Sequence, residues 1–207
     1  MVISPQQLQS REAYALMTSL VIPRPIAWIS SISPDGVVNV APFSYFNGVT
    51  SRPPIIAVSI APGRGGVKDT ARNIRTGGEF VVNLVGEEQA EAMNRTATEY
   101  PYGVSEADEV GLELVPSETI RVPRLAVAPA ALECRVERIV EVGEPPVAHI
   151  LGEVLAFVLA DGLSYEPLRG VEPSELALIG RLGQNRYVRL REIFALDRIP
   201  YRPSTTG

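Results

Sequence analysis

The stretch Ile26-Ala-Trp-Ile-Ser-Ser-Ile-Ser-Pro-Asp-Gly-Val-Val-Asn-Val-Ala41 decides the fold class. Two short apolar runs, rich in Ile and Val, flank Ser33-Pro-Asp-Gly36, which carries proline and glycine where a tight turn favours them, and so predict a β-hairpin. The same signature recurs. Ile55 to Ile60 and Phe80 to Val85 are short, apolar and bounded by Pro or Gly, as buried strands are. Leu132, Cys134, Val136, Val140 and Val142 alternate with Glu133, Arg135, Glu137 and Glu141, which predicts a strand with one wet face and Cys134 packed inward. Val147 to Ala160 reads as another long strand, apolar on both faces beyond Glu153, as expected beneath a covering layer or a partner subunit.

Helical signals are fewer. Ser4-Pro-Gln-Gln7 has a capping serine, a proline at the first helical position and a glutamine three residues on, predicting a helix from there to about Thr18. A short helix is expected after Lys68, and Glu87 to Tyr102 is helical at first and then polar. Gly103 to Gly111 has little periodicity and reads as a surface excursion. No repeat or low-complexity linker divides the chain. The expectation is a mainly β protein, a β-barrel with peripheral helices, as one domain over 1–199 with a loose tail over 200–207.

Composition narrows the function. The 207 residues are 45% hydrophobic, enough for a full core. Nineteen Lys and Arg face 24 Asp and Glu, so the net charge of -5 offers no general attraction to nucleic acid. The longest apolar runs fall well short of the roughly 20 residues that span a bilayer. The first residues lack a basic head and an apolar run, so no secretion signal is expected, and the single cysteine suits a reducing cytoplasm. One histidine and one cysteine do not supply a zinc site, and no Gly-x-Ser-x-Gly elbow supports a hydrolase.

Two segments carry the chemistry. Asn39-Val-Ala-Pro-Phe-Ser-Tyr-Phe-Asn47 sets aromatics, a hydroxyl and two amides in a non-helical run between apolar strands, with Pro42 starting a turn. About twenty residues later, Ala61-Pro-Gly-Arg-Gly-Gly-Val-Lys-Asp-Thr70 follows a strand and precedes a helix. It is not a P-loop, because Val67 and Asp69 stand where that motif needs glycine and Ser or Thr. What remains suits a terminal monophosphate: Lys68 brings a charge, Asp69 or Thr70 can cap the helix, and free N–H groups at its first turn favour an anion. Taken alone, the second segment is also what a capped surface helix shows, the first what a satisfied loop shows. Trp28 reads as core, and Arg24, between two prolines, as a surface charge.

Together these segments resemble the flavin reductase-like family of FMN-binding split barrels. The resemblance is carried by Arg24-Pro-Ile-Ala-Trp-Ile-Ser-Ser-Ile-Ser-Pro-Asp-Gly, Asn39 to Asn47, Pro53-Pro54, Lys68-Asp-Thr-Ala-Arg-Asn-Ile74 and Phe80-Val-Val-Asn-Leu84. It returns in His149-Ile-Leu-Gly-Glu-Val154 and, more weakly, in Arg181-Leu-Gly-Gln-Asn-Arg-Tyr187. It implies a homodimer of split barrels with one FMN per subunit near the interface. Ser44, Tyr45, Phe46 and Asn47 would then lie along the flavin and its ribityl chain, and Lys68 and Thr70 would hold the phosphate. Arg24 is a further phosphate candidate, Asp69 holds the loop or caps the helix, and Asn73 braces the helix against the loop. His149 falls on the nicotinamide side, preceded here by Pro145-Pro-Val-Ala where many relatives carry Gly-Asp. The implied reaction is hydride transfer from NADH or NADPH to FMN and onward to a flavin or a redox-partner protein. A non-catalytic FMN-binding electron carrier is the alternative. Neither requires a catalytic acid or base.

Overall fold

The computed structural model describes residues 1–201. A single turn of 3-10 helix, Pro5–Gln7, precedes α1 (Ser10–Leu20). Strands β1 (Ala27–Ile32), β2 (Val38–Phe43), β3 (Phe46–Ser51) and β4 (Pro54–Ile60) lead to α2 (Asp69–Gly77) and β5 (Glu79–Asn83). Two short helices, α3 (Ala90–Arg95) and α4 (Glu106–Val110), come next, then the short pair β6 (Leu114–Val115) and β7 (Arg124–Leu125). The long strands β8 (Ala130–Val142) and β9 (Val147–Leu159) follow, and α5 (Pro173–Leu176), β10 (Ile179–Arg181) and β11 (Tyr187–Arg189) are the last elements among the described residues. The chain is mainly β, as expected.

Seven strands form one sheet in the order β2-β1-β5-β8-β9-β4-β3, with every neighbour antiparallel. The hairpin of β1 and β2 pairs Ile32 with Val38 and closes through Ser33 and Gly36, whose φ of 85° is open to glycine at little cost. The two edge strands, β2 and β3, are consecutive in the chain with only Ser44 and Tyr45 between them. The sheet therefore has to curl until its edges approach. Phe43 of β2, Val58 of β4, Phe80 of β5 and Ile150 of β9 accordingly share one buried cluster, into which α2 inserts Ala71 and Ile74. A Cβ on Gly152 would stand 2.5 Å from the Phe80 ring, so this crossing requires glycine. On the outer face, Trp28 and Val40 pack with Met93 of α3 and Ala107 of α4. Trp28 is fully buried, and its indole N–H donates to Thr96 Oγ1 at 2.9 Å.

Several expectations need correction. The first helix does not start at Ser4: the chain is extended at Leu8, and α1 begins where Gln9 and Glu12 form a reciprocal capping box. Pro42 does not start a turn; it lies within edge strand β2 opposite Trp28, where a missing N–H is tolerated. Glu133 does not face water. The segment carrying Glu118 and Thr119 folds over it, and it is completely buried. Val140 and Val142 are exposed, because a bulge between Val136 and Arg138 reverses the alternation and turns Ile139 inward. The stretch read as a surface excursion contains α4, which Ser105 caps and which buries Glu106 and Ala107. Most of the expected loose tail, residues 202–207, lies outside the described residues. No helix among the described residues is long and apolar enough to cross a membrane.

Candidate functional site

Residues of edge strand β2 border two adjoining cavities of about 360 and 310 Å³ that share Pro42, Lys68 and Ala97. Their walls differ in chemistry. The first is built from the Gly63–Thr70 turn, the start of α2, Asn39, Glu106 and the segment after α3. The second is lined by Tyr14, Phe43, Tyr45, Met93 and Tyr187, with Arg24, Ser44, Ser59, Arg181 and Gln184 among them.

Lys68 stands at the junction. It is exposed, it precedes the first turn of α2, and its ammonium lies 5.4 Å from the centre of the Phe43 ring. Among the described residues it takes part in no ion pair, unlike neighbouring Asp69, which binds Arg72 at 2.6 Å. The expected side-chain cap is absent: neither Asp69 nor Thr70 closes the start of α2. Asp69 instead holds Arg72, whose guanidinium also donates to the Val67 carbonyl, so the pair ties the glycine-rich turn to the helix. Free N–H groups at the α2 terminus and an unpaired lysine together favour an anion.

Thr70 is buried and reaches Asn39, whose amide lies between it and Glu106. The amide orientation that satisfies both ends donates Nδ2–H to Glu106 Oε1 (3.2 Å) and accepts the Thr70 hydroxyl at Oδ1 (2.8 Å). Glu106 Oε2 accepts from Val40 N–H at 2.8 Å. Burial raises the Glu106 carboxyl above its ordinary value; the Val40 N–H and its own backbone amide pull the other way, and Asp69 pushes it further up.

Arg24 is not the surface charge its flanking prolines suggest. It is buried, and it donates to the carbonyls of Thr18 (2.8 Å), Val21 (2.7 Å) and Leu182 (2.9 Å), with Ser44 Oγ 3.4 Å away. It thereby ties the end of α1, the β10–β11 hairpin and the corner between β2 and β3 around the second cavity. Tyr45 lies beneath it, with the guanidinium 5.9 Å from the ring centre. Burial and nearby Tyr14 raise the Tyr45 phenol above its usual value, against the pull of Arg24.

The remaining positions stand at varying distances from these cavities. His149 reaches them through one partner: its Nδ1 is 2.8 Å from the hydroxyl of Ser59, which lines the second cavity. Phe46 packs against the main core, and Asn47 is exposed on edge strand β3 with its side-chain Oδ1 accepting Gly48 N–H. Neither lines these cavities. Asn73 is buried against β1, donating to Ser31 Oγ at 3.3 Å, so it braces α2 against the sheet and not against the loop. Sequence reasoning assigned no role to Glu106, Ser59 or Arg181. Arg181 stacks on Tyr187 at 4.5 Å and pairs its backbone with Arg24, a contact between distant segments that spacing does not disclose.

Residues 17–170 match the model of the flavin reductase like domain. The chain belongs to the flavin reductase-like family. An uncharacterized protein of Halalkalibacterium halodurans is 40% identical over 203 residues, covering 96% of each chain. Nitrilotriacetate monooxygenase component B from Bacillus cereus is 36% identical, with a TM-score of 0.89 over 95% of this chain and 98% of that one. Pseudomonas fluorescens 2-nitrobenzoate 2-nitroreductase is 34% identical, with a TM-score of 0.89 over 99% and 100% of the two chains. The curled sheet is thus the split barrel of this flavin reductase-like family, and membership supports an oxidoreductase with a flavin cofactor.

Proposed function

We propose that residues 1–199 form one domain that binds FMN, accepts hydride from NADH or NADPH and passes electrons to a flavin or a redox-partner protein. The observation that carries this reading is the unpaired Lys68 at the start of α2, where an anion-favouring cavity adjoins an aromatic one. A phosphorylated planar heterocycle has those two ends. The likeness to a monooxygenase component and a nitroreductase at more than a third identity supports electron delivery. Assembly as a homodimer in the cytoplasm belongs to the same proposal, with Phe46 and Asn47 on edge strand β3 as residues that would meet flavin near the subunit interface.

The chain's residues fit the group. Lys68 and the first N–H groups of α2 would hold the phosphate, with Thr70 beside them. Ser44 and Tyr45 would border the ring system, oriented by Arg24, and His149 would act on the nicotinamide side through Ser59. When bound, the flavin supplies the N5 position that accepts hydride. The protein's part is to hold donor and acceptor at reacting distance and keep water out, which needs no catalytic acid or base.

The test is direct. Protein loaded with FMN should be yellow, and anaerobic NADH or NADPH should bleach it within seconds. Failure to bind FMN would sink the reading, and reduction by dithionite alone would leave an electron carrier. Lys68→Ala should weaken FMN binding by about 1.5–3 kcal/mol, the loss of a charge-assisted contact, with little change for riboflavin. Equal losses in an equilibrium titration of both ligands would make Lys68 structural.

A further inference from the structure

The first cavity contains a buried polar chain that phosphate holding by Lys68 does not explain: Glu106 to Asn39 to Thr70. We propose that Glu106 and Asn39 are positioning residues that decide, through the orientation of the Asn39 amide, whether the Thr70 hydroxyl can donate to the phosphate of the bound cofactor. This rests on the FMN reading above.

The argument is a count of protons along the chain. A carboxylate at Glu106 only accepts, so Asn39 must turn its Nδ2–H toward it. Asn39 then presents Oδ1 to Thr70, with Val40 N–H a second, longer donor at 3.3 Å, and the single hydroxyl proton of Thr70 points to that oxygen. Thr70 offers a phosphate nothing but lone pairs. A protonated Glu106 reverses each bond: its O–H donates to Asn39 Oδ1, Asn39 Nδ2–H donates to Thr70 Oγ1, and the Thr70 proton is free to point into the cavity. Val40 N–H bonds to Glu106 Oε2 in both states, which fixes Oε1 as the oxygen facing Asn39. Phosphate binding therefore draws up to one proton from solvent onto Glu106, forming one O–H bond and changing no bond between heavy atoms.

The surroundings favour this exchange. Glu106 is 7% exposed, and burial already raises its carboxyl above the ordinary value. Asp69 at the start of α2 pushes it further up. Around the same cavity, the glycine-rich turn brings Arg64 and Lys68, α2 adds Arg72, and the segment after α3 adds Glu99, Tyr100 and Tyr102. On its own helix stand Asp108 and Glu109, both exposed, and β2 contributes no titratable side chain. Glu106 is the acid that the Asn39 amide touches.

Calorimetric titration of FMN into the apoprotein, in buffers of differing ionisation enthalpy, counts the protons taken up. Glu106→Gln imitates the protonated state, because Val40 N–H fixes the amide oxygen and leaves the amide N–H for Asn39. Wild type should take up more protons than Glu106→Gln at pH 7 to 8, and its affinity relative to that variant should fall as pH rises, by at most about tenfold per unit. The ratio cancels the phosphate's own titration, and riboflavin should show no difference between the two proteins. Equal proton uptake by wild type and variant would overturn the proposal while leaving the FMN site intact. Failure of wild type to bind FMN would overturn the site itself. Should Glu106→Gln fail to fold, carbon-13 NMR of the Glu106 carboxyl decides. FMN should raise its titration midpoint in wild type far more than in Thr70→Val. An equal rise in both would reduce the effect to simple repulsion between charges.

Discussion

Two glutamates among the described residues are buried, and their surroundings push them in opposite directions. Burial works to raise the Glu133 carboxyl in β8, yet the Thr119 hydroxyl, the Glu118 and Thr119 N–H groups and nearby Arg124 together hold it below its usual range. Glu106 in α4 has Val40 N–H on one oxygen and an amide that can turn around on the other, and it is raised. A carboxylate with several fixed donors is a tie between segments. One with fewer fixed donors, beside a cavity, can exchange its proton.

Glu133→Ala tests the tie with the largest expected effect, about 3 kcal/mol lost in urea unfolding, because it removes the acceptor shared by the Glu118 and Thr119 N–H groups, the Thr119 hydroxyl and Arg124. A loss under about 1 kcal/mol would show that the covering segment does not depend on it. The acid response is smaller but has a definite sign. A depressed folded value means that the Glu133 contribution is complete above the ordinary glutamate value and is lost as pH falls through the depressed one. Glu133→Gln should therefore lose less stability than wild type between pH 6 and pH 3 (roughly the carboxylate range), as read by urea midpoints. The smallest effect belongs to Glu106→Gln, a change of less than about 1 kcal/mol. Here the sign reverses: a raised folded value costs wild type stability as pH rises past the ordinary glutamate value, so thermal melts should favour the variant more at pH 7 than at pH 4.

The same contrast shows what could be read from the chain alone. The β1–β2 hairpin and the start of α2 were legible because their signals are local: Pro-Asp-Gly between apolar runs, and Lys-Asp-Thr after a glycine-rich turn. Cys134 was rightly placed inward by alternation. Glu133 was misplaced by that same alternation, since the segment that covers it lies elsewhere in the chain and leaves no mark on the periodicity of β8. Glu106 was invisible in a stretch without periodicity, although Ser105 and Gly111 bracket its helix as caps do. Arg24 marked the family resemblance, but its three carbonyl partners come from α1 and the β10–β11 hairpin, and only the folded chain brings them together. Asn73 was recognised as a brace with the wrong partner.

The two-residue corner at Ser44 and Tyr45 gives the site a place in time as well as in space. Hairpins such as β1–β2 and β3–β4 can form early from neighbouring residues. Joining them into one curled sheet needs Trp28 to meet Asn83, Phe80 to meet Cys134 and Ile55 to meet Glu153, contacts that close long loops and come at a high entropic cost. Only after all three seams are made do the edge strands approach and the cavities beside Pro42 and Lys68 acquire all their walls. These cavities are thus a late product of folding, and a chain arrested with any seam open lacks the proposed flavin site.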